Sequence, residues 1–84
     1  INLINKDLKF NIFPKLTKNE IKIELQNDIK VKVVITNQLG QIVKELKINY
    51  NKLIVDVEEL SPGIYYLNIF NKREKVLSEK IVVE

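Results

Sequence analysis

Apolar residues alternate with polar ones along most of this chain, and that period of two predicts strands rather than helices. Ile21, Ile23 and Leu25 alternate with Glu20, Lys22, Glu24 and Gln26, the cleanest half-buried strand in the sequence. Phe10 and Ile12 flank Asn11 and run into Pro14, which predicts a first edge strand ended by a residue with no N–H for the ladder. Ile29, Val31, Val33 and Ile35 alternate with Lys30, Lys32 and Thr36. Val34 interrupts the polar side, which predicts a strand covered on both faces. Gln41 to Lys47 continues as a strand whose inward face Ile42, Val43 and Leu46 leave ambiguous. Leu53, Val55 and Val57 alternate with Ile54 and Asp56. The stretch Ile64 to Phe70 puts Tyr65, Leu67 and Ile69 on one face, and Val76 to Val83 forms a last strand.

The breaks between these runs read as turns. Asn27-Asp28, Asn37-Gln38-Leu39-Gly40, Asn49-Tyr50-Asn51, Leu60-Ser61-Pro62-Gly63 and Asn71-Lys72-Arg73-Glu74 supply them, with Gly40 expected at a left-handed position. About seven short strands with turn signals every ~8–12 residues predict an all-β, antiparallel β-sandwich. A helical turn over Glu20 to Gln26 fits the composition, but strict alternation and isoleucine oppose it. Eighty-four residues make one domain. Its first residues carry the weakest pattern, so residues 1–8 read as the remnant of a linker and 9–84 as the folded unit. The chain starts at Ile1 and contains no methionine, which predicts a fragment or processed product of a longer parent.

Composition removes most chemistries. Cysteine is absent, so no disulfide or thiolate metal site is expected, and the absence of histidine removes the commonest general base and transition-metal ligand. Thr17, Thr36, Ser61 and Ser78 therefore have no histidine to activate them. Glu58 and Glu59 are adjacent acids, but neighbours in an extended segment point apart. Asp28, Asp56 and Glu58 lack the spacing of a calcium loop, and no glycine-rich phosphate cradle occurs. No enzyme, cofactor or metal is expected, and a sandwich this small has little room for a small-molecule substrate. The net charge is +3, with acids and bases interleaved as in Lys22/Glu24 and Lys44/Glu45, so no nucleic-acid stripe is expected. No apolar run is long enough for a transmembrane helix. Tyr65 is expected in the core with its hydroxyl reaching a partner at the rim; Tyr66 points to the other face, where exposure would make it an interaction residue.

Three blocks carry a resemblance. Asn11-Ile12-Phe13-Pro14 through Ile23 forms the first, Val31 through the loop Gly40 to Val43 the second, and Val55-Asp56-Val57 through Leu60, Gly63, Tyr65, Leu67 and Ile69 the third, with Lys80-Ile81-Val82-Val83 closing. In this order and spacing the chain resembles the type A C-terminal sorting domain of the Bacteroidetes type IX secretion system. It departs from that pattern in having Pro14-Lys15-Leu16 where the family has Pro-Asn-Pro, and Asn37 where an aspartate is common. The resemblance implies an immunoglobulin-like sandwich. It also implies a non-catalytic secretion signal that directs an exported cargo through the outer-membrane translocon. It further implies recognition by a shuttle protein and, as is common in the family, removal by a sortase, with the cargo released or attached to the cell surface. The resemblance places such a domain in the periplasm in transit and then in the secreted or outer-surface fraction, as a monomer. Pro14, Leu39, Gly40, Val43, Leu60, Gly63, Tyr65 and Lys80 are the residues that match the family pattern. Lys80 to Glu84 and the loop Asn37 to Gln41 are expected as the surface offered to the machinery, with Gly40, Gly63 and Tyr65 holding the fold behind them. The rival reading is a fibronectin type III-like adhesion module, whose tyrosine corner Leu60-x-Pro62-Gly63-x-x-Tyr66 matches by spacing. The rivals differ on which tyrosine is inside: Tyr65 for the sorting domain, Tyr66 for the fibronectin type.

Overall fold

A computed structural model of the chain describes residues 10–26, 30–48 and 51–84. Eight strands follow one another: β1 (Phe10–Phe13), β2 (Leu16–Thr17), β3 (Glu20–Leu25), β4 (Val31–Asn37), β5 (Ile42–Ile48), β6 (Lys52–Asp56), β7 (Gly63–Asn71) and β8 (Glu74–Val83). They form two sheets, one of three strands in the order β1-β3-β6 and one of five in the order β2-β8-β7-β4-β5. The inner faces of the two sheets close on a single apolar core, as the all-β sandwich reading expects. Ile12, Ile21, Ile23, Leu25 and Val55 come from the smaller sheet; Val33, Ile35, Leu67, Ile69 and Ile81 are among those from the larger. The turns expected at Asn27-Asp28 and Asn49-Tyr50, and the linker at 1–8, lie outside the described residues.

β2 is the element that alternation did not predict, and it pairs in parallel rather than antiparallel. Leu16 and Thr17 lie beside Val82 and Val83 of β8, while all other described pairings are antiparallel. Pro14 ends β1, whose peptide bond from Phe13 is cis. The chain then leaves the small sheet, donates two residues to the large one and returns as β3. Two residues are too short to show a period, which hid this strand in the sequence.

Two bulges account for the ambiguous strands. Between Ile35–Lys44 and Thr36–Ile42 the register shifts, leaving Val43 as the extra residue in β5. A strand with an inserted residue reverses its alternation at that point. Ile42 therefore faces outward, while Lys44, Leu46 and Ile48 face in. β8 shifts in the same way between Ile69–Leu77 and Phe70–Lys75, with Val76 extra. Val34 is buried although it faces outward from the larger sheet. Neighbouring Asn68 is buried beside it, donating from Nδ2 to the Val34 carbonyl (3.2 Å) and accepting from Ser78 Oγ (2.9 Å). A polar side chain inside a central strand is thereby fully paired. The β7–β8 hairpin turns at Lys72, which takes φ +60 without being glycine.

Truncating the fully buried Ile23 to alanine should cost about 2–5 kcal/mol, a large share of what a domain this small holds. Ile54, 59% exposed on the same sheet, should tolerate alanine within about 0.5 kcal/mol. Urea midpoints of the two variants against the parent chain test the core assignment.

Candidate functional site

The pairing registers bring three connections to one end of the sandwich. Glu20 opposes Asp56 and Phe13 opposes Lys22 in the small sheet, while Asn37 opposes Tyr65 and Gly63 opposes Val83 in the large one. The crossover at 14–19, the loop at 37–41 and the link at 57–62 therefore share that end with the close of β8. Main-chain bonds join them: Val57 N–H donates to the Asn19 carbonyl (2.8 Å), Val82 N–H to Lys15 (2.7 Å) and Glu84 N–H to Thr17 (2.8 Å).

Each connection is fixed by one side chain. Asn37 Oδ1 accepts from the N–H groups of Leu39 (2.9 Å) and Gln41 (3.0 Å), and its Nδ2 donates to Gln41 Oε1 (2.8 Å). Asparagine thus supplies the acceptor that an aspartate would, and adds a donor. Gly40 follows at φ +83, where a side chain would be strained although nothing crowds it. In the crossover, the buried Thr17 hydroxyl donates to the Glu20 carbonyl (3.0 Å) and accepts from the N–H of Asn19 (3.2 Å) and Glu20 (3.3 Å). In the link, Asp56 Oδ1 accepts from Glu58 N–H (2.9 Å), and Leu60 N–H donates to the Val57 carbonyl (3.1 Å). Leu60 packs against the core.

Tyr65 completes the end. Its ring is buried at 7% exposure and its hydroxyl donates to the Ser61 carbonyl at 2.6 Å, across the Pro62-Gly63 corner. That is the back-bond of a tyrosine corner, made by Tyr65; Tyr66, whose spacing matched the fibronectin motif, is 38% exposed on the outer face. The sorting-domain alternative required this choice of tyrosine.

The other residues singled out in the sequence are spread around the same end. Leu39 caps the 37–41 loop at 83% exposure, Pro14, Gly40 and Gly63 are exposed, and Val43 sits exposed at the start of β5. Lys80 is exposed and lies opposite Tyr66. The close of β8 is not a free edge: β2 covers its backbone at Val82 and Val83, and the side chains of Ile81 and Val83 are core. Only the side chains of Lys80 and Glu84 are exposed there, with Val82 half-buried. Alternation concealed a further feature. Of the large apolar side chains left exposed, Phe13, Leu16, Leu39, Ile42, Val43 and Tyr66 lie on or near the connections at this end, while Ile54 stands apart in the middle of β6. The opposite end offers Gln26, Lys30, Asn51 and the Asn71–Glu74 turn among the described residues.

The acids here diverge. Glu59 is ion-paired to Lys44, and that hydrogen bond, with one from a backbone N–H, holds its carboxyl below the usual glutamate range. Glu58 follows Asp56 into the turn instead. Among the described residues no three His, Cys, Asp or Glu side chains gather as a metal site would need.

Against known proteins, a family model described as a secretion system C-terminal sorting domain matches residues 11–84. No curated protein matches the chain.

Tyr65→Phe should lower stability by about 1 kcal/mol, because it strands the Ser61 carbonyl, whereas Tyr66→Phe should change nothing measurable. Denaturant unfolding of the pair separates the two tyrosines. Glu59 contributes stability above the ordinary glutamate pKa, and that contribution disappears as the pH falls through its lowered folded value. Glu59→Gln should therefore remove a small acid-side loss from the stability–pH curve, read as Tm against pH.

Proposed function

The chain belongs to the secretion system C-terminal sorting domain family, the sorting signal of type IX secretion, and from that membership we propose that its corner-bearing end is the face the secretion machinery reads. The protein that carries such a domain is secreted across the outer membrane. The observation that supports this face is the concentration of exposed apolar side chains on rigid turns at one end, Leu39 and Ile42 foremost. Exposed apolar groups on an ordered scaffold mark a protein contact, since burying them requires little further ordering. The surface offered to the shuttle protein and translocon is then the 37–41 loop with the outward row Ile42, Thr36, Tyr66 and Lys80, which crosses four paired strands. Pro14, Leu60, Gly63 and Tyr65 support it from behind. Val43, the bulge residue, turns Ile42 outward into this row.

On the same reading the domain crosses the periplasm as a folded monomer. A sortase then removes it ahead of β1, in residues 1–8 that link it to the cargo, and the cargo is released or attached to the cell surface. The domain itself performs no reaction and binds no cofactor or small-molecule substrate.

The test is a fusion of the chain behind an exported reporter in a type IX-competent bacterium. The reporter should reach the medium or the cell surface; retention in the periplasm overturns the assignment. A Leu39→Asp/Ile42→Asp variant should keep its sheet circular dichroism yet leave most reporter in the periplasm. Normal export of that variant would move the reading face elsewhere.

A further inference from the structure

The sequence disperses its lysines, but the fold collects them. At the end opposite the corners, Lys30, Lys32, Lys47 and Lys72 line a groove of about 300 Å³ in which Phe70 is the apolar side chain on the outer face, Val31 and Ile48 being turned into the core. Lys47, Lys32, Phe70 and Lys75 form a row across β5, β4, β7 and β8 by direct pairing. Lys32 and Lys47 stand directly opposite one another, an arrangement that destabilises a sheet. Among the described residues, only Lys32 of the four groove lysines has a carboxylate within ion-pair distance, Glu45 at 3.2 Å. Lysines on an edge strand guard against edge pairing, which accounts for Lys47 on β5. That reason does not extend to Lys32 in the sheet interior, nor to Lys30 and Lys72 converging on the same groove.

We propose that this groove binds an extended acidic segment of another protein, one apolar side chain resting on Phe70 with carboxylates two residues to either side meeting the lysines. This inference rests on charge and shape, independently of the sorting face. A strand-like segment places every second side chain on one face about 7 Å apart, so an acid–x–apolar–x–acid pattern spans the groove. The lining holds lysine point charges and no arginine fork, which disfavours a lone phosphate. Phe70 is half-buried and the site is concave, which disfavours insertion into a lipid surface.

The test is a two-dimensional NMR titration of the intact chain with a synthetic Glu-Ser-Leu-Ser-Glu peptide and its Gln-Ser-Leu-Ser-Gln counterpart. The acidic peptide should shift the amides of Lys30 to Lys32, Lys47, Ile48 and Phe70 to Lys72. Lys32→Gln/Lys47→Gln should weaken binding about tenfold, and Lys22→Gln on the other sheet should not. Equal shifts with the glutamine peptide overturn the proposal, as does a silent peptide while inorganic phosphate or phosphatidylglycerol vesicles move those amides. Lys47→Gln should also raise Tm by about 2–4 °C by removing the opposed charge. A fall in Tm would make Lys47 a stabilising residue and equally overturn it.

Discussion

Two sheets of unequal width share one core, and most of the molecule follows from that mismatch. Three strands cannot cover the inner face of five. The central strands β4 and β7 are sealed by Ile21, Ile23 and Val55, so Val33, Ile35, Leu67 and Ile69 reach complete burial. At the margins the larger sheet overhangs. There the inward rows each include one charge, Lys44 on β5 and Glu79 on β8. Each reaches beyond its sheet to a residue in a connection, Lys44 to Glu59 and Glu79 to Lys15 at 3.5 Å. Exposed ion pairs contribute little to stability. Here their value is geometric, because they let an uncovered inner margin end in water.

This explains which parts of the fold were legible. β3 and β6 belong to the small sheet, with one face in the core and one in solvent, and their alternation is nearly unbroken. β5 and β8 each hold one inserted residue and one charged inward position, so the alternation of each reverses once and is broken again by a charge. β2 has no period at all and exists because the crossover lies beside β8, a tertiary fact. The site was legible in its turn residues, Gly40, Pro62-Gly63 and Tyr65, since each has a local backbone reason. It was not legible in Thr17, whose hydroxyl ties three groups within one tight turn, nor in Ile42, whose direction depends on the bulge at Val43. The charge pattern misled for the same cause. Lys30 and Lys32 alternate with apolar residues as any half-buried strand does, and only pairing shows that Lys47 joins them.

The two ends of the sandwich are chemically distinct. One gathers most of the exposed apolar side chains on turns tied by side-chain to main-chain hydrogen bonds; the other gathers lysines at strand ends and a hairpin. A sorting domain of this shape can hold one partner at each end without competition, since no residue serves both surfaces.

The parallel pairing of β2 with the close of β8 has a consequence for the order of events in folding. It joins one of the earliest parts of the domain to the latest, and contacts so far apart along a chain form slowly. A ribosome delivers Leu16 long before Val82 exists. Until then the crossover lacks its bonding partner and the small sheet has only part of the wall it must rest on. A nascent chain therefore keeps its crossover unpaired until β8 has emerged, so the domain closes only after its last strand is made.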